Sequence, residues 1–263
     1  MKFKMLLSTA AAAIALATAL PASATPVFPT YTVDPGAQSG TITPFTANDL
    51  GGQYNERITF TSANTFDVSL VFIGGQFSLD DTTSPVTYNG AESGLGNKYG
   101  LYATFLGTGT YSSSGSSTTF DLSSGAINLY LTPTASVSYT PPANGSTLYT
   151  VTPGTLLGSS NSVSGSGTST CTGGNNCGSF GQTAQQFMLT SAGSAFFVSP
   201  VPFYSMALTS GQFEGVQPQV GATVTSFGTA NTVFNVPEPS PLALIGLGLL
   251  ALGFTSRRSS KKS

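Results

Sequence analysis

The sequence predicts an all-β exported domain, a β-sandwich or jelly-roll-like body with an N-terminal signal helix before it and a C-terminal single transmembrane helix after it. Three observations carry this. Short runs of the middle alternate apolar with polar residues at period two, the signature of half-buried strands. Clusters of Gly, Asn, Ser and Pro separate those runs, as turns require. Long unbroken apolar stretches stand only near the two ends, each next to basic residues.

Residues 1–24 read as a signal peptide. Lys2 and Lys4 give the positive start, and Met5 to Leu20 is apolar apart from Ser8, Thr9 and Thr18. Pro21 breaks the helix, and Ala22-Ser23-Ala24 places small residues at the two positions that signal peptidase inspects. A retained N-terminal anchor is the alternative, but a helix break and an Ala-x-Ala site together favour cleavage after Ala24.

Residues 25–235 form the β-rich exported domain. Arg57 to Thr61, Phe66 to Phe72, Tyr99 to Phe105, Ala126 to Leu131, Ser136 to Tyr139, Leu148 to Val151, Ala195 to Val198 and Ala222 to Phe227 are the alternating runs. They are rich in β-branched and aromatic residues, which suit a pleated surface with one face buried. Ile73-Gly74-Gly75, Asn89-Gly90, Ser113-Ser114-Gly115 and Pro141 to Gly145 supply turns. Residues 158–179 are so rich in Ser, Gly and Thr that they read as a flexible loop. No fixed-period repeat is present, which argues against a solenoid or propeller.

Cys171 and Cys177 flank Thr-Gly-Gly-Asn-Asn inside that segment. Export places them in an oxidising compartment, and the short glycine loop lets the sulfurs meet, so a disulfide is expected. A metal site would need further ligands, and the chain has no His. A redox pair usually shows C-x-x-C spacing.

Charge excludes one class of function. Only 7% of residues are charged, against about 25% in an ordinary soluble domain. Apart from Arg57 and Lys98 the cations lie in the two ends, while the middle keeps the acids. Such a middle cannot neutralise phosphates, so nucleic acid is not a partner.

The end of the chain is built in three parts. Pro237, Glu238 and Pro239 open it, Leu242 to Phe254 is apolar, and Arg257, Arg258, Lys261 and Lys262 close it. Prolines at this density keep the first part extended and accessible. The basic end at 257–262 favours the cytoplasmic side, which puts the large domain across the membrane. The 242–254 helix would span about 20 Å against a hydrocarbon core of about 30 Å, so it is a marginal anchor, suited to removal. This order resembles the PEP-CTERM sorting domain of Gram-negative bacteria. The resemblance implies that 236–263 is a sorting tail and that exosortase is the processing partner. It further implies a transient membrane anchor, then display at the cell surface or in the extracellular matrix. Exopolysaccharide is the partner expected there.

A second resemblance rests on Ala47-Asn48-Asp49-Leu50-Gly51-Gly52-Gln53-Tyr54-Asn55-Glu56 followed by Ile58-Thr59-Phe60. It is similar to the opening of flocculation-associated PEP-CTERM proteins, in which a Gly-x-Tyr-Asn-Glu segment precedes an alternating strand. That implies a matrix protein that holds cells in flocs with polysaccharide.

No catalytic residue is named. Without His, Ser-His-Asp and Cys-His nucleophile systems are excluded. Two acids could still serve a glycoside hydrolase, with Glu56, Asp67, Asp80, Asp81, Glu92, Asp121 and Glu214 as the pool, yet no spacing singles out a pair. Asp80 and Asp81 are a candidate calcium contact, equally explained by a turn. Tyr99, Tyr102, Tyr111 and Tyr130 are candidates for stacking on sugars, although aromatic residues on alternating strands usually belong to a core. No cofactor is expected. The reading is a non-enzymatic exported matrix protein acting with exopolysaccharide in floc or biofilm formation. A discrete carbohydrate-binding module and a two-acid secreted hydrolase are the alternatives.

Intact-mass measurement of the exported, unreduced protein tests the processing. It should give a chain beginning at Thr25 and a peptide across Cys171 and Cys177 lighter by two hydrogens. A retained Met1, or thiols that alkylate without reduction, would refute it.

Overall fold

The structure is a computed structural model that describes residues 29–36, 40, 42–80, 84–170, 178–201, 203, 205–213 and 217–235. The signal peptide, the cysteine pair and the sorting tail lie outside the described residues. No helix among the described residues is long and apolar enough to cross a membrane.

Strands dominate, as expected. In chain order they are β1 (Tyr31–Val33), β2 (Phe45–Ala47), β3 (Asp49–Phe60), β4 (Thr65–Leu79), β5 (Val86–Tyr88), β6 (Gly100–Ser114), β7 (Ser117–Thr132) and β8 (Tyr139–Thr140). Then follow β9 (Thr150–Val151), β10 (Thr155–Ser160), β11 (Ser162–Ser169), β12 (Gly178–Gln185), β13 (Met188–Leu189), β14 (Phe197–Ser199), β15 (Ser205–Phe213) and β16 (Thr223–Asn235). Two short helices interrupt them, α1 (Gly90–Ser93) and α2 (Ser191–Phe196). Helix α1 starts at Asn89 in a capping box, because the Asn89 side chain accepts from Ala91 N and Glu92 N while Glu92 Oε2 accepts from Asn89 N at 2.8 Å.

The sheet closes on itself. Strands β3, β4, β6, β7, β11, β12, β15 and β16 each pair antiparallel with the next, and β16 returns to pair with β3. This is an eight-stranded up-and-down barrel. The expected β-sandwich or jelly roll is corrected on this point. Alternation places one row of side chains inward and one outward in either architecture, so the pattern does not distinguish them. Bulges at Gly51/Gly52, Thr108/Gly109 and Thr209/Gln212 give the extra twist that lets the long strands coil into a cylinder.

The second correction concerns residues 158–179, read from composition as a loop. Thr155–Ser160 and Ser162–Ser169 are strands along β7, and Gly178 begins β12. Val163, Gly165, Gly167 and Ser169 take inward positions, and Ser164 and Ser166 stand outward and exposed. Small residues alternate here just as large ones do elsewhere, and ladder bonds to β7 and β12 on both sides hold the strand. Ser169 lies opposite Gly178, so the two flanks of the cysteine segment start side by side.

Aromatic residues fill both ends of the barrel. At one end Phe60 meets Tyr111 with ring centroids 5.0 Å apart, and Phe66 meets Phe120 at 5.6 Å. At the other, β1 pairs with β14 and β2 as a small lid. Tyr31 on that lid lies 4.9 Å from Phe234 and 5.8 Å from Phe197, edge to face. Edge-to-face rings bury large area at favourable quadrupole geometry.

A strap of residues 133–152, which contains β8 and β9, crosses the outer face of β3 and β4. Gly145 N donates to Thr59 Oγ1 at 2.8 Å and Tyr149 Oη donates to Asn55 Oδ1 at 2.6 Å. Gly145 sits so close that a Cβ there would lie 2.2 Å from the Asp67 carbonyl oxygen and 2.9 Å from that of Arg57. Backbone cannot yield as a flexible side chain can. Gly145→Val should therefore lift the strap and cost about 1–3 kcal/mol, a fall in thermal midpoint of roughly 2–10 °C for a domain this size. A midpoint within a degree of the parent would show that the strap does not bear on the barrel.

Candidate functional site

The acids singled out from sequence scatter. Glu92 belongs to the α1 capping box. Asp67 and Asp121 take outward positions on β4 and β7, between inward Phe66 and Val68 and beside inward Phe120. Asp81 and Glu214 lie outside the described residues. Asp80 N donates to Asn48 Oδ1 at 2.8 Å and its carbonyl accepts from Asn48 Nδ2 at 3.1 Å, so the turn there is explained without a metal. Among the described residues no three His, Cys, Asp or Glu side chains group together as a metal site. Asp49, which sequence reasoning passed over, stands near Asp80. Burial lifts its carboxyl to about 6, Asp80 adds to the rise, and a hydrogen bond from the Ser78 hydroxyl partly offsets it.

The four tyrosines do not form a sugar platform. Tyr99 is fully buried and donates to Ser93 O, and Tyr111 donates to Ser62 O within the aromatic end cluster. Tyr102 and Tyr130 face each other across β6 and β7, stacked with centroids 5.0 Å apart. Tyr102 is buried, and Tyr130 is half-buried.

The exposed aromatic rings lie elsewhere. Phe227 on β16 is 53% exposed and Tyr139 on the strap is 37% exposed. They border an outer groove of about 510 Å³ whose lining includes Gln53, Asn55, Gly228 and Thr229. Neutral amides and hydroxyls between two accessible rings suit a polar, uncharged chain: the rings cover C–H faces and the amides bond hydroxyls. Among the described residues that line the groove, none carries a charge. Sequence reasoning missed it because Tyr139 and Phe227 lie far apart in the chain and meet only where the strap crosses the barrel.

A second cavity lies inside the barrel. It measures about 50 Å³ and is lined by Ile58, Phe66, Val68, Phe120, Leu122 and Phe180, with Glu56 and Gln182 as the polar side chains that carry charge or amide groups. Glu56 is 9% exposed and makes no hydrogen bond or ion pair among the described residues. Burial alone pushes its carboxyl up to about 8. The alternation Tyr54, Glu56, Ile58, Phe60 already placed Glu56 on the inward row of β3.

Fold and chain order together define a β-barrel domain followed directly by a C-terminal tail, since β16 ends at Asn235 where the tail begins. Residues 235–258 match the family model for the PEP-CTERM protein-sorting motif. The chain carries a PEP-CTERM sorting motif, which implies export and processing by exosortase at the cell envelope. No curated protein and no solved structure matches the chain. The motif residues Pro237, Glu238 and Pro239 and the basic end Arg257 to Lys262 lie outside the described residues.

The raised Glu56 pKa sets a pH dependence. Unfolded Glu56 ionises near its ordinary value and folded Glu56 only near 8. Between these the native state holds the extra proton, so stability is full below the lower value and falls as pH rises toward the upper one. Glu56→Gln should leave the thermal midpoint almost unchanged at pH 4. At pH 8 it should raise stability by on the order of a few kcal/mol. Equal pH profiles for parent and variant would show that Glu56 ionises normally.

Proposed function

We propose that the mature chain is a non-enzymatic surface or extracellular matrix protein that acts with exopolysaccharide in floc or biofilm formation. The observation that carries this is the uncharged outer groove between Phe227 and Tyr139. Its chemistry fits a neutral or weakly charged sugar chain better than a nucleic acid or an acidic peptide. The resemblance of residues 47–60 to the flocculation-associated protein PepA supports the same reading. Low overall charge supports it too, because copies packed in a matrix repel one another little.

The groove favours a defined sugar contact over diffuse cohesion, which brings the carbohydrate-binding-module reading close to the leading one. A two-acid hydrolase draws less support. Glu56 is the one acid among the described residues that line its cavity, and Asp67 and Asp121 face outward from strands that enclose it. In this reading the 242–254 helix holds the chain in the membrane only until exosortase acts. The Cys171–Cys177 disulfide then closes the tip of the β11–β12 hairpin.

Polysaccharide from the producing strain, immobilised and washed, should retain the mature protein. Changing both Phe227 and Tyr139 to Ala should reduce retention at least tenfold with the thermal midpoint unchanged, and cells carrying the double variant should aggregate less. The polysaccharide should keep its length. Undiminished retention by the double variant would remove the groove from the proposal, and depolymerisation would replace a matrix role with an enzymatic one. Extracellular protein should lack Arg257 to Ser263, and finding that segment intact would count against processing of the tail.

A further inference from the structure

We infer that the cavity inside the barrel is a binding site for a primary ammonium group, held by the Glu56 carboxylate with the Gln182 side-chain oxygen and faced by the Phe66, Phe120 and Phe180 rings. An eight-stranded barrel is just wide enough for side chains to fill its interior or for one small ligand to occupy it. Here the filling is incomplete, and polar oxygens are left over. Gln182 Oε1 and Ser226 Oγ are buried and without a hydrogen-bond partner. Ser226 lies directly opposite Glu56 across the β16–β3 ladder, where facing residues are about 5 Å apart. Glu56, nine-tenths buried, makes no hydrogen bond or ion pair among the described residues either.

The chemistry narrows the ligand. A buried polar group without a partner costs free energy, and a buried charge costs more. An anion would meet Glu56 and no cation, because no Lys or Arg is among the described residues that line the cavity. Calcium takes about six to eight oxygen ligands, and most of this wall is phenyl and alkyl carbon. A neutral hydrocarbon would fill the space and leave the Glu56 and Gln182 oxygens unpaired. A primary ammonium has N–H donors for the Glu56 and Gln182 oxygens, a charge to pair with Glu56, and attraction to phenyl faces. One water-sized probe needs roughly 10–15 Å³, so a cavity of about 50 Å³ admits an amine of about three heavy atoms.

Room for it comes from β11. Gly165 and Gly167 occupy inward positions where the other strands carry side chains. A Cβ at Gly165 would meet the Gly181 carbonyl oxygen at 2.3 Å and Gln182 Cγ at 3.1 Å. The composition that looked like a loop thus keeps the Gln182 side chain unobstructed.

Of the other titratable groups on the surrounding strands, Arg57 on β3, Asp67 on β4 and Asp121 on β7 take outward positions, Tyr54 shares the inward row of β3 with its ring 5.3 Å from that of Phe180, and Tyr149, which reaches Asn55 from the strap outside, feels the Glu56 charge. β11, β12 and β16 carry none among the described residues. Glu56 is the one carboxyl among the described residues that line the cavity. Binding of the cation to protonated Glu56 gives an ammonium–carboxylate pair and releases one proton to solvent.

Titration calorimetry of the mature protein with ethylammonium chloride tests this, with ethanol and propionate as neutral and anionic counterparts. Ethylammonium should bind saturably at one site. At pH 6.5 it should release close to one proton, read from two buffers of different ionisation heat. Apparent affinity should rise about tenfold per pH unit from 6 until Glu56 is ionised. Glu56→Gln should weaken binding at least tenfold and abolish the proton release. Gln182→Leu should weaken it without removing the release. Ethanol or propionate binding as tightly as ethylammonium, affinity kept within twofold in Glu56→Gln, or no saturable heat would each overturn the inference.

Discussion

The architecture depends on one ladder, that between β16 and β3, which runs from Thr223↔Thr59 to Val233↔Asp49. It joins the last barrel strand to the first and turns an open meander into a cylinder. An exported sheet with this little charge has few of the lysines that protect open edges. Closure removes the edges of the eight strands altogether. It also sets the cost: the ladder unites residues about 170 positions apart in sequence, so most of the chain must be ordered before its last contact is made.

Inside the cylinder the polar residues are out of character with the rest of the core. Tyr31, Phe60, Phe72, Phe105 and Phe234 pack as a dense aromatic interior. Glu56, Gln182 and Ser226 interrupt it with groups that hydrophobic residues of similar size would replace at a gain in stability. Local rules are usually broken where a protein does something other than fold. The outer groove differs in kind, since it costs the barrel little: Phe227 and Tyr139 are exposed residues on elements fixed by other contacts.

Much of the fold could be read from the chain because large residues alternated. Phe66 to Phe72 and Ala126 to Leu131 fall within β4 and β7. The β11–β12 hairpin could not be read this way. Its alternation is of Ser with Gly, residues whose composition signals flexibility and whose strand conformation is imposed by neighbours on both sides. Barrel and sandwich share the same in–out pattern, so closure was invisible as well. Glu56 was legible as an inward position but was weighed as one acid among seven. The groove was not legible, because it exists only where residue 139 is laid beside residue 227.

The position of β16 also bears on mechanics. The sorting tail leaves from Asn235, the last residue of the closing strand. Any tension that reaches the domain from that end pulls β16 along its own axis, between β15 on one side and β3 on the other. The ladder bonds lie across the pull and share the load in shear, so they resist together and do not open one after another like a zipper. A tether placed at this point is attached to the part of the cylinder best able to withstand drag.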